Sequence, residues 1–149
     1  VREGKGRAIE RDEVLDIIAR ADEANLVLQP SNSQDVMFLC CCCGCCCSVL
    51  GGLKQLPKPA EALGSPYMAQ LDAEACASCW TCVDRCQMDA LSEGEEHVVF
   101  DADRCIGCGL CVTTCPTGAL TLVTNPDRAE PLADMNVVWQ RQAVDPSQL

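Results

Sequence analysis

The sequence predicts an α+β chain in which a helix and a cysteine-rich loop segment precede a duplicated unit of strand, short helix and strand. Three observations predict it. Apolar residues recur at helical spacing between Ile9 and Ala24, short strand-like apolar runs flank two cysteine-rich loops further on, and those two loops are copies of one another. The copies are Cys76, Cys79, Cys82, Cys86 and Cys105, Cys108, Cys111, Cys115, each spaced C-x2-C-x2-C-x3-C and lying 29 residues apart. The same offset superposes Asp72 on Asp101, Ala73 on Ala102, Ala90 on Ala119 and Leu91 on Leu120, so the duplication extends beyond the cysteines. The expected organisation is a helical segment over 1–35, a cysteine-rich segment and linker over 36–65, the duplicated unit over 66–125 and a tail over 126–149.

Taken in order, residues 1–7 are polar and read as a frayed end. Val14, Leu15, Ile17, Ile18 and Ala21 share one face of the first helix while Arg11, Asp12, Asp16, Arg20 and Asp22 lie away from it. Asn25 suits a left-handed cap, and Leu26–Leu28 read as a short extended run ended by Pro30. The apolar face of the helix needs a cover, either the next segment or upstream chain. SNSQD over 31–35 is a polar turn, and Pro57, Pro59, Gly64 and Pro66 mark a linker with a helical turn at Ala60–Leu63. Strands are expected over 67–71, 90–92, 97–100 and 119–124, with short helices over 83–88 and 112–117. Val83, Leu91, Val112 and Leu120 are the candidates to cover whatever the cysteines hold. The tail carries Val137, Val138 and Trp139, which can dock on a partner or fold back.

With 15 cysteines but only two Trp, one Tyr and two Phe, the chain has few large residues for a core and needs another staple. No basic start with a small-residue cleavage site opens the sequence, so reduced thiols in a reducing cytoplasm, as in an anaerobe, are expected rather than a secreted disulfide framework. The sequence begins at Val1, which is compatible with excision from a longer chain. Three cysteines at two-residue intervals let one tight loop wrap a face of a cubane iron-sulfur cluster, and a fourth, one helical turn further on, is carried away from that loop. Zinc is the rival occupant of C-x2-C pairs. Three such cysteines in a row, twice, favour iron-sulfur.

All eight positions resemble the bacterial two-cluster ferredoxins over about residues 66–125, and CIGCGLCVTTCP also has the Gly107, Gly109 and Pro116 of that family's pattern. CASCWTCVDRCQ departs from it with Ser78, Trp80 and Gln87. The resemblance implies a ferredoxin-like βαββαβ module with two 4Fe-4S clusters, in which each loop gives its fourth cysteine to the other cluster. On that rule Cys76, Cys79, Cys82 and Cys115 hold one cluster, and Cys86, Cys105, Cys108 and Cys111 hold the second. Low reduction potentials follow from the same resemblance.

From Val36 to Leu53 the chain runs 18 residues without a charge and includes Cys40, Cys41, Cys42, Cys43, Cys45, Cys46 and Cys47. A membrane span needs about 20 apolar residues, and three glycines in a run this short argue against one. Neighbouring residues point apart in a strand and about 100° apart in a helix, so seven thiols cannot face one small cluster; a loop bent at Gly44 can present three or four. The segment is therefore a candidate third metal centre, a third iron-sulfur cluster included, with the remaining thiols buried as small apolar groups. The upstream half also resembles larger multi-cluster ferredoxin-like proteins that join QPSNSQ and CCxCCC segments to a two-cluster module. Relatives of that kind carry further cysteines ahead of the helix, and this sequence has none before Cys40, which leaves completion to upstream chain or another subunit.

A net charge of −11 leaves no basic stripe to neutralise phosphates, which excludes nucleic acid as a partner class and suits docking to basic patches on redox partner proteins, or simply solubility. There is no nucleophile triad and no phosphate-cradling glycine loop. His97, between acidic residues and a strand, reads as a surface residue, and Trp80 either shields a cluster or packs. The expected function is one-electron transfer. The alternatives are an electron-feeding subunit of a redox enzyme whose cysteine-rich segment holds a catalytic cluster, and a metal-sequestering protein.

Overall fold

The computed structural model describes residues 3–128 and 130–142. The first helix, α1, spans Arg11–Glu23, with Asp12 and Glu13 in the first turn where their charge complements the helix dipole. It is shorter than the periodic stretch because Ala24 leaves helical geometry and Asn25 follows at φ 58°, the left-handed turn its side chain tolerates. Only Ala21 of its apolar face is fully buried, and Leu15 stays exposed. Strand β1 (Val27–Pro30) then pairs antiparallel with β2 (Leu39–Cys42), Val27 opposite Cys42 and Pro30 opposite Leu39. The turn between them is tied by Ser31, whose hydroxyl accepts from the Met37 N–H at 2.9 Å, and by Ser33, whose hydroxyl donates to the Asp35 carbonyl at 2.7 Å.

Helix α2 (Ser48–Lys54) takes up the end of the uncharged run, where no element is expected, together with Lys54, and is anchored by the fully buried Leu50. Helix α3 (Pro59–Leu63) opens on proline and stops at the left-handed Gly64, φ 66°. Strand β3 (Tyr67–Leu71), helix α4 (Thr81–Arg85), strands β4 (Leu91–Ser92) and β5 (Val99–Phe100), helix α5 (Leu110–Thr114) and strand β6 (Leu120–Thr124) follow, and α6 (Met135–Gln142) ends the described chain. The sheets are two-stranded: β3 with β6, Leu71 opposite Leu120, and β4 with β5, Leu91 opposite Phe100. Each therefore takes one strand from each copy of the repeat.

Both short helices lie earlier than the sequence suggests, starting at Thr81 and Leu110 rather than Val83 and Val112. A left-handed residue, Trp80 or Gly109, precedes each, and the chain turns directly into the helix. Both stop before the fourth cysteine, because Cys86 and Cys115 are extended, with ψ of 106° and 112°. The tail turns back at Pro131–Ala133, where the Gln34 and Asp35 N–H groups donate to the Leu132 and Ala133 carbonyls at 2.8 and 3.0 Å. The docking role considered for Val138 and Trp139 lies outside the described side chains.

Two apolar cores result. One gathers Ala69, Cys82, Leu91, Val98, Cys111 and Leu120 between the copies; the other gathers Val27, Leu50, Met88, Ile106 and Leu110 and joins the N-terminal hairpin to the second copy. The carboxylate of Asp22 on α1 reaches both short helices, accepting from Arg85 at 3.0 Å and from the Thr113 hydroxyl at 2.9 Å.

Candidate metal centre

The two loops share one backbone path. Ser78 (φ 51°) and Trp80 (φ 61°) take the left-handed conformation of Gly107 (φ 67°) and Gly109 (φ 82°), and Asp89 (φ 55°) matches Gly118 (φ 68°). The turns before the loops also match: the carboxylate of Asp72 accepts from the Glu74 N–H at 3.1 Å, and that of Asp101 from the Asp103 N–H at 2.9 Å. Pairing between the copies then moves the fourth cysteines. The Asp72 N–H donates to the Ala119 carbonyl and the Asp101 N–H to the Ala90 carbonyl, both at 2.8 Å. Pairing of β3 with β6 carries Cys115 to the first loop, and pairing of β4 with β5 carries Cys86 to the second.

Two cavities lie under the loops. Cys76, Cys79, Cys82 and Cys115 line the first, which is walled by Leu71, Trp80, Val98 and Leu120. Cys86, Cys105, Cys108 and Cys111 line the second, which is walled by Leu91, Phe100, Ile106 and Leu110. Of the four expected covering residues, Leu120 faces the first space and Leu91 the second. Val83 and Val112 instead pack against the core between the copies, because the helices start earlier than expected.

The thiols of the second space sit in the drier surroundings. Burial pushes Cys108 up to about 11, and burial with the neighbouring thiols pushes Cys111 up to about 12. In the first space, Cys79 is exposed and is held below the usual thiol range by hydrogen bonds from the Thr81 backbone and hydroxyl. Burial lifts Cys82; it also lifts Cys115, but hydrogen bonds from the Thr117 hydroxyl and from backbone N–H groups, Leu120 foremost, bring that thiol below its ordinary value. Backbone N–H groups also point at sulfur in the second space, Ala69 toward Cys105 at 3.4 Å and Ala90 toward Cys86 at 3.2 Å.

Sulfur spacing tests what the eight thiols fit. Four thiolates on one tetrahedral zinc stand about 3.8 Å apart, from a zinc–sulfur bond of about 2.3 Å. Among the described residues, the one group of three candidate ligands with all ligand atoms within 4.8 Å of one another is Cys43, Cys45 and Cys46. No three of the eight repeat cysteines come so close. Each foursome lines an apolar space with its thiols spread wider than one ion holds them, which fits a polynuclear group with one iron per thiolate. Such a group supplies one-electron exchange when bound; the chain's part is to present four thiolates, keep water from the walls and point N–H groups at sulfur.

The cysteine-rich segment divides. Cys40 and Cys41 are exposed on β2 and Cys42 ends that strand, so the bent loop is only Cys43–Cys47, closed by the Cys47 N–H donating to the Cys43 carbonyl at 3.2 Å. The chain turns over residues 44–46, the expected bend, without a positive φ at Gly44, and glycine is needed there for space as well: a Cβ would lie 2.8 Å from Gln87 Oε1 and 3.1 Å from the Gln87 carbonyl. Gln87 is the site residue that sequence reasoning undervalued. Its Oε1 accepts from the Gly44 N–H at 2.8 Å and its amide donates to the Asn25 carbonyl at 3.0 Å, tying the cysteine-rich loop to the residue after Cys86. The signal was its place in the repeat, opposite Pro116. His97 is exposed and lines neither cavity, whereas Trp80 lines the first.

Residues 98–121 match the 4Fe-4S binding domain family. The match falls on the second copy, Cys105 to Cys115, the one with glycine at both left-handed loop positions. It supports at least one 4Fe-4S cluster and, with the many cysteines, iron-sulfur electron transfer. No curated protein matches the chain. None of its described helices is long and apolar enough to cross a membrane.

Proposed function

We propose that the chain is a one-electron carrier, or the electron-carrying part of a larger redox protein, built as a ferredoxin-like βαββαβ module with two 4Fe-4S clusters. One cluster is held by Cys76, Cys79, Cys82 and Cys115, the other by Cys86, Cys105, Cys108 and Cys111. The observation that carries the reading is the make-up of the two cavities: each is lined by three thiols of one copy and the fourth of the other. Both foursomes border the core between the copies, so an electron has a short path from one to the other. The acidic chain, at −11, would meet redox partners through basic patches, with encounters that weaken as salt rises. The cysteine-rich segment adds a third metal centre.

The test is iron and sulfide quantitation with spin resonance during an anaerobic reductive titration, on the parent chain and on Cys86→Ser and Cys115→Ser. The parent should hold about eight irons in the two clusters. Cys86→Ser should perturb the cluster with Cys105, Cys108 and Cys111, and Cys115→Ser the cluster with Cys76, Cys79 and Cys82. Each fourth cysteine disturbing the cluster of its own loop would overturn the crossed assignment, and zinc without labile sulfide would overturn the redox reading.

A further inference from the structure

The seven cysteines of the 40–47 segment fall into three sets with different surroundings. Cys40 and Cys41 are exposed on β2, where successive side chains point to opposite faces. Cys42 and Cys47 are half-buried and pack against the same core as Cys86 and Cys108. Cys43, Cys45 and Cys46 converge on the outer side of the turn, with Cys43 Sγ 2.6 Å from Cys45 Sγ and 3.0 Å from Cys46 Sγ.

We propose that Cys43, Cys45 and Cys46 form a three-thiolate site for one thiophilic divalent ion of the zinc class, with its fourth coordination position open to solvent. The proposal rests on the reading that this segment holds a metal; it does not depend on the two clusters. The geometry separates a single ion from a third cluster. The three ligand atoms lie within 4.8 Å of one another, the range of thiolates around one ion, while the repeat cysteines stand wider. The present S–S separations are shorter than the about 3.8 Å that a bound zinc ion sets, and rotation of partly or fully exposed side chains opens them to it.

The turn is held ready for the ion. The β1–β2 pairing fixes one side, and the burial of Leu50 fixes the other. Gln87 grips the middle through the Gly44 N–H. A soft thiolate set selects thiophilic ions over magnesium or calcium, and the acidic chain raises the local cation concentration. Three protein ligands at an exposed turn leave a position for water or an incoming thiolate, which distinguishes this site from a closed structural one. Gln87 adjoins Cys86, so the site stands beside the second cavity.

The probe is Zn²⁺, added anaerobically to the full chain after iron-sulfur loading, with metal analysis and X-ray absorption at the zinc edge. The expected result is one zinc per chain with three sulfur neighbours at about 2.3 Å and one lighter neighbour. That zinc should be lost in a Cys43→Ser, Cys45→Ser, Cys46→Ser triple variant and kept in a Cys40→Ser, Cys41→Ser double variant, with iron unchanged in both. Gly44→Ala, which crowds Gln87, should weaken zinc binding while leaving iron content alone. Zinc retained by the triple variant, a fourth sulfur neighbour, or a cystine among the three residues in reduced, anaerobic protein would each overturn the proposal. So would a loss of about four irons from the triple variant, which would make the segment a third cluster. A parent chain with too little iron for two clusters, but with zinc as described, would instead count against the carrier reading alone.

Discussion

The two cysteine loops follow the same backbone path with different residues, and the difference shows where this repeat is under strain. The second loop meets its left-handed positions with Gly107, Gly109 and Gly118, which adopt them freely; the first meets them with Ser78, Trp80 and Asp89, which do not. What holds the first loop is its surroundings. Ser78 donates to the Glu96 carbonyl, Trp80 packs against the core between the copies, and Asp89 pairs with Lys54 at 2.9 Å. The second loop spends its freedom on dryness: Ile106 and Leu110 are buried, and burial lifts Cys108 and Cys111, whereas Cys79 of the first loop faces solvent. One copy is tied from outside and open, the other is intrinsically relaxed and closed.

The largest expected consequence is the order of metal loss. A chelator applied anaerobically should strip iron in two phases of about four irons each, the faster from the space lined by Cys79. Spin resonance of the half-stripped protein should show one remaining cluster, and Cys79→Ser should abolish the fast phase while the slow one persists. Loss in one phase, or survival of the Cys79 cluster, would erase the distinction between an open and a closed copy.

Substitutions at the glycines divide steric from conformational requirements. A Cβ on Gly107 would collide with the Tyr67 carbonyl on β3, besides sitting at positive φ. Gly107→Ala should therefore cost about 3 kcal/mol or more in anaerobic denaturant unfolding and lower iron occupancy of the second cavity. Gly109 has nothing within 4 Å of an added Cβ, so Gly109→Ala carries only the left-handed penalty, about 1 kcal/mol. Equal effects at the two positions would mean that approach to β3 does not constrain the loop.

Much of this was readable in advance where spacing carries chemistry. The 29-residue offset marks both loops, the strand placed over Tyr67–Leu71 has those bounds, and Asn25 takes the left-handed turn foreseen for it. What escaped depends on tertiary contact. The short helices begin one residue before the third cysteine rather than beyond it, because a left-handed residue ahead of each decides the start, and Trp80 carries no sequence sign of that conformation. Helix α2 is hidden because SVLGGLK, with two adjacent glycines, has no helical stripe to read; the burial of Leu50 anchors it. Gly44 lies in the expected bend, and what the sequence does not mark is its close approach to Gln87, 43 residues away. Which three of seven adjacent cysteines converge follows from where β2 ends, a boundary the run of cysteines does not mark.

The smallest expected effect is also the closest probe of the strained copy. At Ser78 two terms of similar size oppose one another: the left-handed backbone costs about 1 kcal/mol, and the hydroxyl's hydrogen bond to the Glu96 carbonyl returns about 1 kcal/mol. Ser78→Gly removes both and should shift unfolding by less than about 0.5 kcal/mol. Ser78→Ala removes only the bond and should destabilise by about 1 kcal/mol. Anaerobic denaturant titrations of the two variants, run side by side at equal iron content, measure the difference between them, which is the conformational penalty itself. If Ser78→Gly proved as damaging as Ser78→Ala, the first loop would carry no strain at this position, and the hydrogen bond alone would account for serine where the second copy has glycine.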